Sequence, residues 1–226
     1  MPARLSGASS ARAAAVALGL AVLALIGFDG AVTRAVAHNA TSDYWEHAAT
    51  LAALIDHGMA AGNPQVVSDA PSPRYMPHWV ALAGIARLLG VDAFAALHGI
   101  AVLHVALWLL GMALFTRRYF AHPWAPALAV VVFTMGWGSA WYFAHTYQLK
   151  TLLHTASFPA TAALGLSWFA WLLALRIARG HLLGPAMLLA ALSAYIALLH
   201  PPTLPLLLAG TLAAAQWPTP DAPCTL

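Results

Sequence analysis

The sequence predicts an all-α fold: a polytopic transmembrane helix bundle of about six spans, with two interfacial helices in its first external loop. Three observations carry that prediction. Of 226 residues, 62% are hydrophobic and 8% charged, whereas a soluble chain carries roughly 25% charged residues, so a water-facing surface cannot be assembled. The apolar residues come in blocks of about 20, the length a helix needs to cross a hydrocarbon core of about 30 Å, and mean hydropathy is +0.76. Alternating ten-residue segments of the barrel type are absent, which leaves helices as the spanning element.

The blocks lie at about 13–34, 93–116, 123–142, 157–176, 182–199 and 203–217, and the chain reads as a single transmembrane domain over 1–226. Arg4, Arg12, the apolar run from Ala13 to Phe28 and Ala35-Val36-Ala37 resemble a cleavable signal peptide. Asp29, Gly30 and Arg34 separate that run from the small residues, so the segment is read as an uncleaved first span. The end, Pro218-Thr219-Pro220-Asp221-Ala222-Pro223-Cys224-Thr225-Leu226, resembles a truncated or frameshifted tail. Cys224 is the single cysteine, which excludes an internal disulfide and a cysteine-based metal cluster. The formal charge of +3 is small and scattered, and nucleic acid is not an expected partner.

A seventh apolar segment, Tyr75 to Val91, is interrupted by Pro77, His78 and Arg87. With this segment at the surface and the N-terminus cytoplasmic, Arg4, Arg12, Arg117, Arg118, Arg176 and Arg179 lie inside, and Arg34, Arg74, Arg87 and Lys150 outside. If it spanned, the later clusters would move outside. The positive-inside rule prefers the first arrangement, which gives an external loop over about 35–92. That loop holds Asp43, Glu46, Asp56, Asp69 and Asp92, five of the seven acids. The Ala-rich composition reads as bacterial, so the expected location is the bacterial inner membrane, with this loop periplasmic.

Within the loop, a helix is expected from Thr41 to about His57, stopping at Gly58. Asp43, His47, Thr50, Leu54 and His57 share one stripe, with Glu46 beside it, and Tyr44, Leu51, Ile55 and Met59 favour the other side. Such a helix suits the membrane surface. Asp43 reads as an N-cap, with Glu46 three residues on as its capping-box partner. Pro64, Pro71, Pro73 and Pro77 then predict ordered turns instead of a helix. A second surface helix is expected from about His78 to Leu89, ending at Gly90.

An N-terminal span, an acid opening an amphipathic helix, a Gly62-Asn63-Pro64 turn, Pro73-Arg74-Tyr75-Met76-Pro77, a helix ending in Leu88-Leu89-Gly90, and a span closing on Arg117-Arg118-Tyr119-Phe120 follow one another in order. The pattern resembles the amino-terminal half of the GT-C fold membrane glycosyltransferases, which include the protein mannosyltransferases and aminoarabinose transferases. The likeness covers roughly residues 10–210 and is architectural. It implies a sugar donor linked to polyprenyl phosphate, and an acid in the first external loop that acts on the acceptor or holds a metal. The matching position is Asp43, with Glu46 as second acid. Family members often carry two adjacent acids there, where this chain has Asp43-Tyr44, and they are usually about twice as long. A divalent cation (Mg or Mn) on Asp43 and Glu46 is the cofactor the resemblance allows.

The departing phosphate needs cationic or hydrogen-bonding groups. Arg74, Lys150, His47 and His200 are the candidates, and Arg87 is a further cation on the same side. For Lys150 the plainer reading is a snorkelling interfacial lysine, and for His200 a helix end ahead of Pro201-Pro202. Trp137, Trp141 and Tyr142 fit an aromatic belt. His98 and His104, inside a span, are rare intramembrane ionisable groups that neutral interhelical hydrogen bonds would also explain. Eleven histidines raise haem, but no span carries the histidine pair four turns apart that stacked haems use, so no haem is expected. A multi-span transporter, with charges near the membrane midplane, and a non-catalytic membrane fragment or subunit are the alternative readings.

Overall fold

In the computed structural model, residues 42–120, 124–136, 149–180 and 183–216 are described, together with the isolated positions Gly27 and Ala31. The expected first span therefore lies outside the described residues, as do Trp137, Trp141 and Tyr142. The described residues are all-helical, with no strand among them. The helices are α1 (Ser42–His57), α2 (Pro77–Leu89), α3 (Ala93–Phe120), α4 (Ala125–Met135), α5 (Leu149–Thr155), α6 (Pro159–Ala178), α7 (Leu183–Leu199) and α8 (Leu204–Gln216), with 3₁₀ turns at Gly58–Ala60 and Pro201–Thr203.

Two of them are long and apolar enough to cross a membrane: α3, of 28 residues, and α6, of 20. At about 1.5 Å per residue α3 is roughly 42 Å long. The apolar helices α4 and α7 are shorter, with 11 and 17 residues, and α8 has 13. The block expected over 123–142 thus gives a described helix that ends at Met135. The block expected over 203–217 gives α8 from Leu204, one residue later, after the 3₁₀ turn that Pro201 and Pro202 favour. The α2 helix has 13 residues, about 20 Å, and falls short of a 30 Å core.

Helix boundaries follow local chemistry. Pro77 stands at the start of α2, where its missing N–H costs no hydrogen bond. Gly90 ends α2 in the left-handed conformation, φ 65°, with its N–H bonded to the Ala86 and Arg87 carbonyls. Asp92 caps α3 through its Oδ1, which accepts the Ala95 N–H at 2.8 Å. Arg87 reaches back across α1 and donates through Nε to the Ile55 carbonyl, setting a cation at the C-terminal end of that helix.

The bundle is organised around α3 and α6, which pack along each other, with α4 on α3 and with α7 and α8 on α6. Their close approach is made by small residues: a Cβ on Gly111 would meet the Phe169 ring at 2.7 Å and the Trp168 Cβ at 2.9 Å. Helices α1 and α2 pack on each other and on the first part of α3, through Tyr44, Leu51, Leu54, Trp79, Leu82 and Leu97. Contacts then gather at two opposite ends of the bundle. One end holds α1, α2, the α5–α6 junction and the end of α7, where His47 meets Phe158 and His78 meets Tyr195. Arg118, Arg176 and Arg179 lie at the other. Between the ends the exterior is apolar, with Leu103, Leu110, Leu114, Leu128, Val131, Val132, Met187, Leu188, Leu206, Leu208 and Leu212 all exposed.

Candidate functional site

The candidate site is the end of the bundle formed by α1, the 61–76 turns and α2. An aromatic clamp fixes its position. Phe94, in the first turn of α3, stacks on Tyr44 at 6.4 Å between ring centroids and meets Trp45 edge-on at 5.7 Å. The first turn of α1 is thereby pinned to the start of the longest helix. Burial and the nearby Asp92 carboxylate push the Tyr44 hydroxyl above its ordinary pKa, so Tyr44 stays a neutral packing residue.

Asp43 lies in that first turn, exposed to solvent. It is not the N-cap expected from the sequence, because α1 begins one residue earlier, at Ser42. A carboxylate there complements the positive end of the helix. Glu46 does not complete a capping box. It forms an ion pair with Arg74, 28 positions along the chain. The two side chains are 38% and 34% exposed. The turns that bring Arg74 across are held by specific bonds: the Tyr75 hydroxyl donates to the Gly62 carbonyl at 2.6 Å, and the Gln65 amide donates to Thr50 Oγ1 at 3.3 Å and the Glu46 carbonyl at 3.4 Å.

The polar stripe of α1 faces otherwise than expected. His47 and Thr50 are buried with Tyr44, Ala48, Leu51 and Leu54, whereas Asp43, Trp45, Asp56 and His57 are exposed. The cause is that α1 is covered on two sides, by α2 and by the turns, so its inward face spans both of the stripes assigned from the sequence. His47 packs on Trp79 at 5.1 Å and Phe158 at 4.7 Å. Burial, reinforced by the Arg74 charge, pulls its pKa down to about 4, and Asp43 offsets only part of this. At neutral pH His47 is an uncharged imidazole and supplies no positive charge to a phosphate.

A row of buried rings continues inward from His47, through Trp79 to His78 and His104, with His78–Trp79 centroids at 5.0 Å and His78–His104 at 5.4 Å. His78 Nδ1 lies 3.3 Å from the Tyr195 hydroxyl, and burial draws the His78 pKa to about 4. His104 Nδ1 donates to the Ala156 carbonyl at 2.9 Å, since a carbonyl can only accept. That tautomer leaves a lone pair on its Nε2. His47 Nδ1, His78 Nε2, Trp79 Nε1 and His104 Nε2 are buried with no hydrogen-bond partner. The row joins α1, α2 and α3. His78 and Trp79 were legible only as the opening of a surface helix, and nothing in their spacing announces a meeting with His104.

The remaining candidates lie apart from Asp43. His200 bonds Thr203 Oγ1 through Nδ1 at 2.7 Å and is held below its ordinary pKa by burial, which makes it a brace for the turn ahead of α8. Lys150 lies in the first turn of α5, and its side chain is outside the described residues. Arg87 is committed to the end of α1. Among the described residues no three of His, Cys, Asp and Glu stand together as metal ligands. With Glu46 neutralised by Arg74, the pair Asp43 and Glu46 does not fit a resident divalent cation. An aromatic cleft of about 610 Å³ between α3, α4, α6 and α8, lined by Phe115, Phe120, Phe133, Trp168 and Trp171, opens near the opposite end of α3 from Asp43.

No family model, curated protein or solved structure matches this chain. The arrangement offers an exposed carboxylate at a helix start, a neighbouring ion pair with a part-exposed guanidinium, and neutral imidazoles beneath them. Such a set can accept a proton from a hydroxyl and donate hydrogen bonds to an anion.

Proposed function

We propose that the chain is a GT-C-like membrane glycosyltransferase that moves a sugar from a polyprenyl-phosphate donor to an acceptor at the outer face of a bacterial inner membrane. In this reading the chain crosses the bilayer about six times, with the N-terminus cytoplasmic and the 35–92 loop periplasmic. Support for the membrane comes from the length of α3 and α6 and from the exposed apolar exterior, since soluble monomers rarely expose apolar patches beyond a few hundred Å². Support for the orientation is that the acid-bearing turns and the arginine clusters occupy opposite ends of one bundle.

The observation that carries the chemistry is the contrast between the two acids. Glu46 is committed to Arg74, whereas Asp43 is exposed in a helix turn clamped by Phe94 to the start of the long span. Asp43 then takes the acceptor hydroxyl proton as the oxygen attacks the anomeric carbon. The bond from that carbon to the phosphate oxygen breaks, and the polyprenyl phosphate leaves with the bonding electron pair. Arg74, held by Glu46, presents its remaining N–H groups to the phosphate oxygens.

Membranes carrying the chain, Asp43→Asn or Glu46→Gln are supplied with labelled polyprenyl-phosphate sugars. Loss of a positioned general base lowers transfer by about 10²–10⁴-fold, so Asp43→Asn is expected to fall in that range. Equal transfer by Asp43→Asn and the parent chain removes Asp43 from the mechanism, and absence of transfer by every chain withdraws the transferase reading.

A further inference from the structure

A second polar site lies at the opposite end of the bundle, away from every residue assigned above. Arg118 of α3, Arg176 of α6 and Arg179, which follows the last residue of α6, line a cleft of about 590 Å³, whose remaining walls are Leu114, Leu172, Leu175 and Pro185. Arg179 is half-buried, and its Nε is shut from solvent with no hydrogen-bond partner. Arg118 and Arg176 are exposed. No acid occurs in the sequence between Asp92 and Asp221, so the helices that build this cleft bring no carboxylate of their own. The result is a cleft that sets three cationic groups beside apolar walls, with Leu114 also exposed on the exterior of α3.

We infer that this cleft binds an anionic phospholipid: Arg118, Arg176 and Arg179 hold the phosphate head group, and Leu114, Leu172 and Leu175 line the path of an acyl chain. Guanidinium groups bond phosphate oxygens with planar, directional N–H pairs, and three of them over-neutralise a single phosphodiester. The apolar walls, Leu114, Leu172, Leu175 and Pro185, favour a lipid over a free phosphate ion, because they offer an ion no hydrogen bond and an acyl chain a surface to cover. By the charge rule this end faces the cytoplasmic leaflet, which attracts basic residues through its anionic lipids. The bound lipid would tie α3 to α6 beyond the Gly111 contact. The inference does not depend on the transferase reading, since it uses neither Asp43 nor the donor.

The full chain is reconstituted in nanodiscs of phosphatidylcholine with a graded fraction of phosphatidylglycerol, and retained lipids are counted by native mass spectrometry after release. The parent chain is expected to retain phosphatidylglycerol selectively. Arg176→Gln and Arg179→Gln should each weaken retention roughly fivefold, as expected for one basic residue facing an anionic leaflet. Arg117→Gln, which removes the same charge beside the cleft, should change it little. The Arg176→Lys variant keeps the charge and tests the planar contact should a glutamine variant fail to fold; it is expected to retain less lipid than the parent. Equal retention by Arg117→Gln, Arg176→Gln and Arg179→Gln, or no preference for phosphatidylglycerol, overturns the site. Displacement of the lipid by millimolar inorganic phosphate would assign the cleft to the free ion and overturn the lipid assignment.

Discussion

At the scale of single residues, His47 and His78 make the protein sensitive to acid. Both imidazoles titrate near 4 when folded, against about 6.5 in an unfolded chain. Between those values the unfolded state binds more protons, so stability rises with pH across the window and is complete above about 6.5. Acidification from pH 6.5 toward 4 should therefore cost on the order of 3 kcal/mol for each imidazole. Thermal melts of the purified chain should show Tm falling through this interval, and His47→Gln should flatten the slope. An unchanged slope would mean that His47 is reached by water in the folded protein. The Glu46–Arg74 pair is half-exposed and worth less: Glu46→Gln is expected to lower stability by about 0.5–1 kcal/mol, with a smaller effect in high salt. This pair was not legible in the sequence. Glu46 reads naturally as the third residue of a capping box, and only the turn chemistry of Gly62, Gln65 and Tyr75 reveals that Arg74 comes back to meet it.

At the scale of elements, the limits of α1 and α2 were legible because glycine and proline mark them. Gly58 adopts φ 64° just beyond His57, Gly90 adopts φ 65° beyond Leu89, and Pro77 opens α2. The inward face of α1 was not legible. Its Asp43–His47–Thr50 stripe and its Tyr44–Leu51 stripe are neighbours, and which is covered depends on the position of α2. The α3–α6 contact was equally hidden, since Gly111 and Gly165 are 54 positions apart in the chain. Gly111→Leu forces Cβ against Phe169 and Trp168 and should destabilise by about 1–3 kcal/mol. Chemical denaturation in detergent would measure it, with Gly99→Leu, where a Cβ meets nothing, as the control.

For the whole molecule, composition made the helical class legible, and two of the expected spans coincide with described helices long and apolar enough to cross a membrane, α3 and α6. The runs over 182–199 and 203–217 give α7 and α8 over nearly their whole length, separated by the 3₁₀ turn that Pro201 and Pro202 favour. The proposed orientation is checked by labelling. In a Cys224→Ser background, Val67→Cys, fully exposed in the 61–76 turns, should react with a membrane-impermeant maleimide in intact cells. Ala178→Cys, at the arginine end of α6, should react only after permeabilisation. Labelling of Ala178→Cys in intact cells, with Val67→Cys protected, would invert the topology and place Asp43 on the cytoplasmic side.

The length of α3 sets one more relation. A helix of 28 residues, about 42 Å long, exceeds a hydrocarbon core of about 30 Å, and the excess is absorbed by tilt or by emergence at its ends. Because Phe94 grips Tyr44 and Trp45, α1 and α2 ride on the N-terminal end of that helix like a platform on a leaning mast. The lipid itself then becomes a mechanical setting: longer acyl chains lower the platform toward the head groups, and shorter chains lift it away. Quenching of Trp45, the exposed tryptophan of the clamp, by head-group-attached spin labels should accordingly rise with acyl length across a series of otherwise identical vesicles.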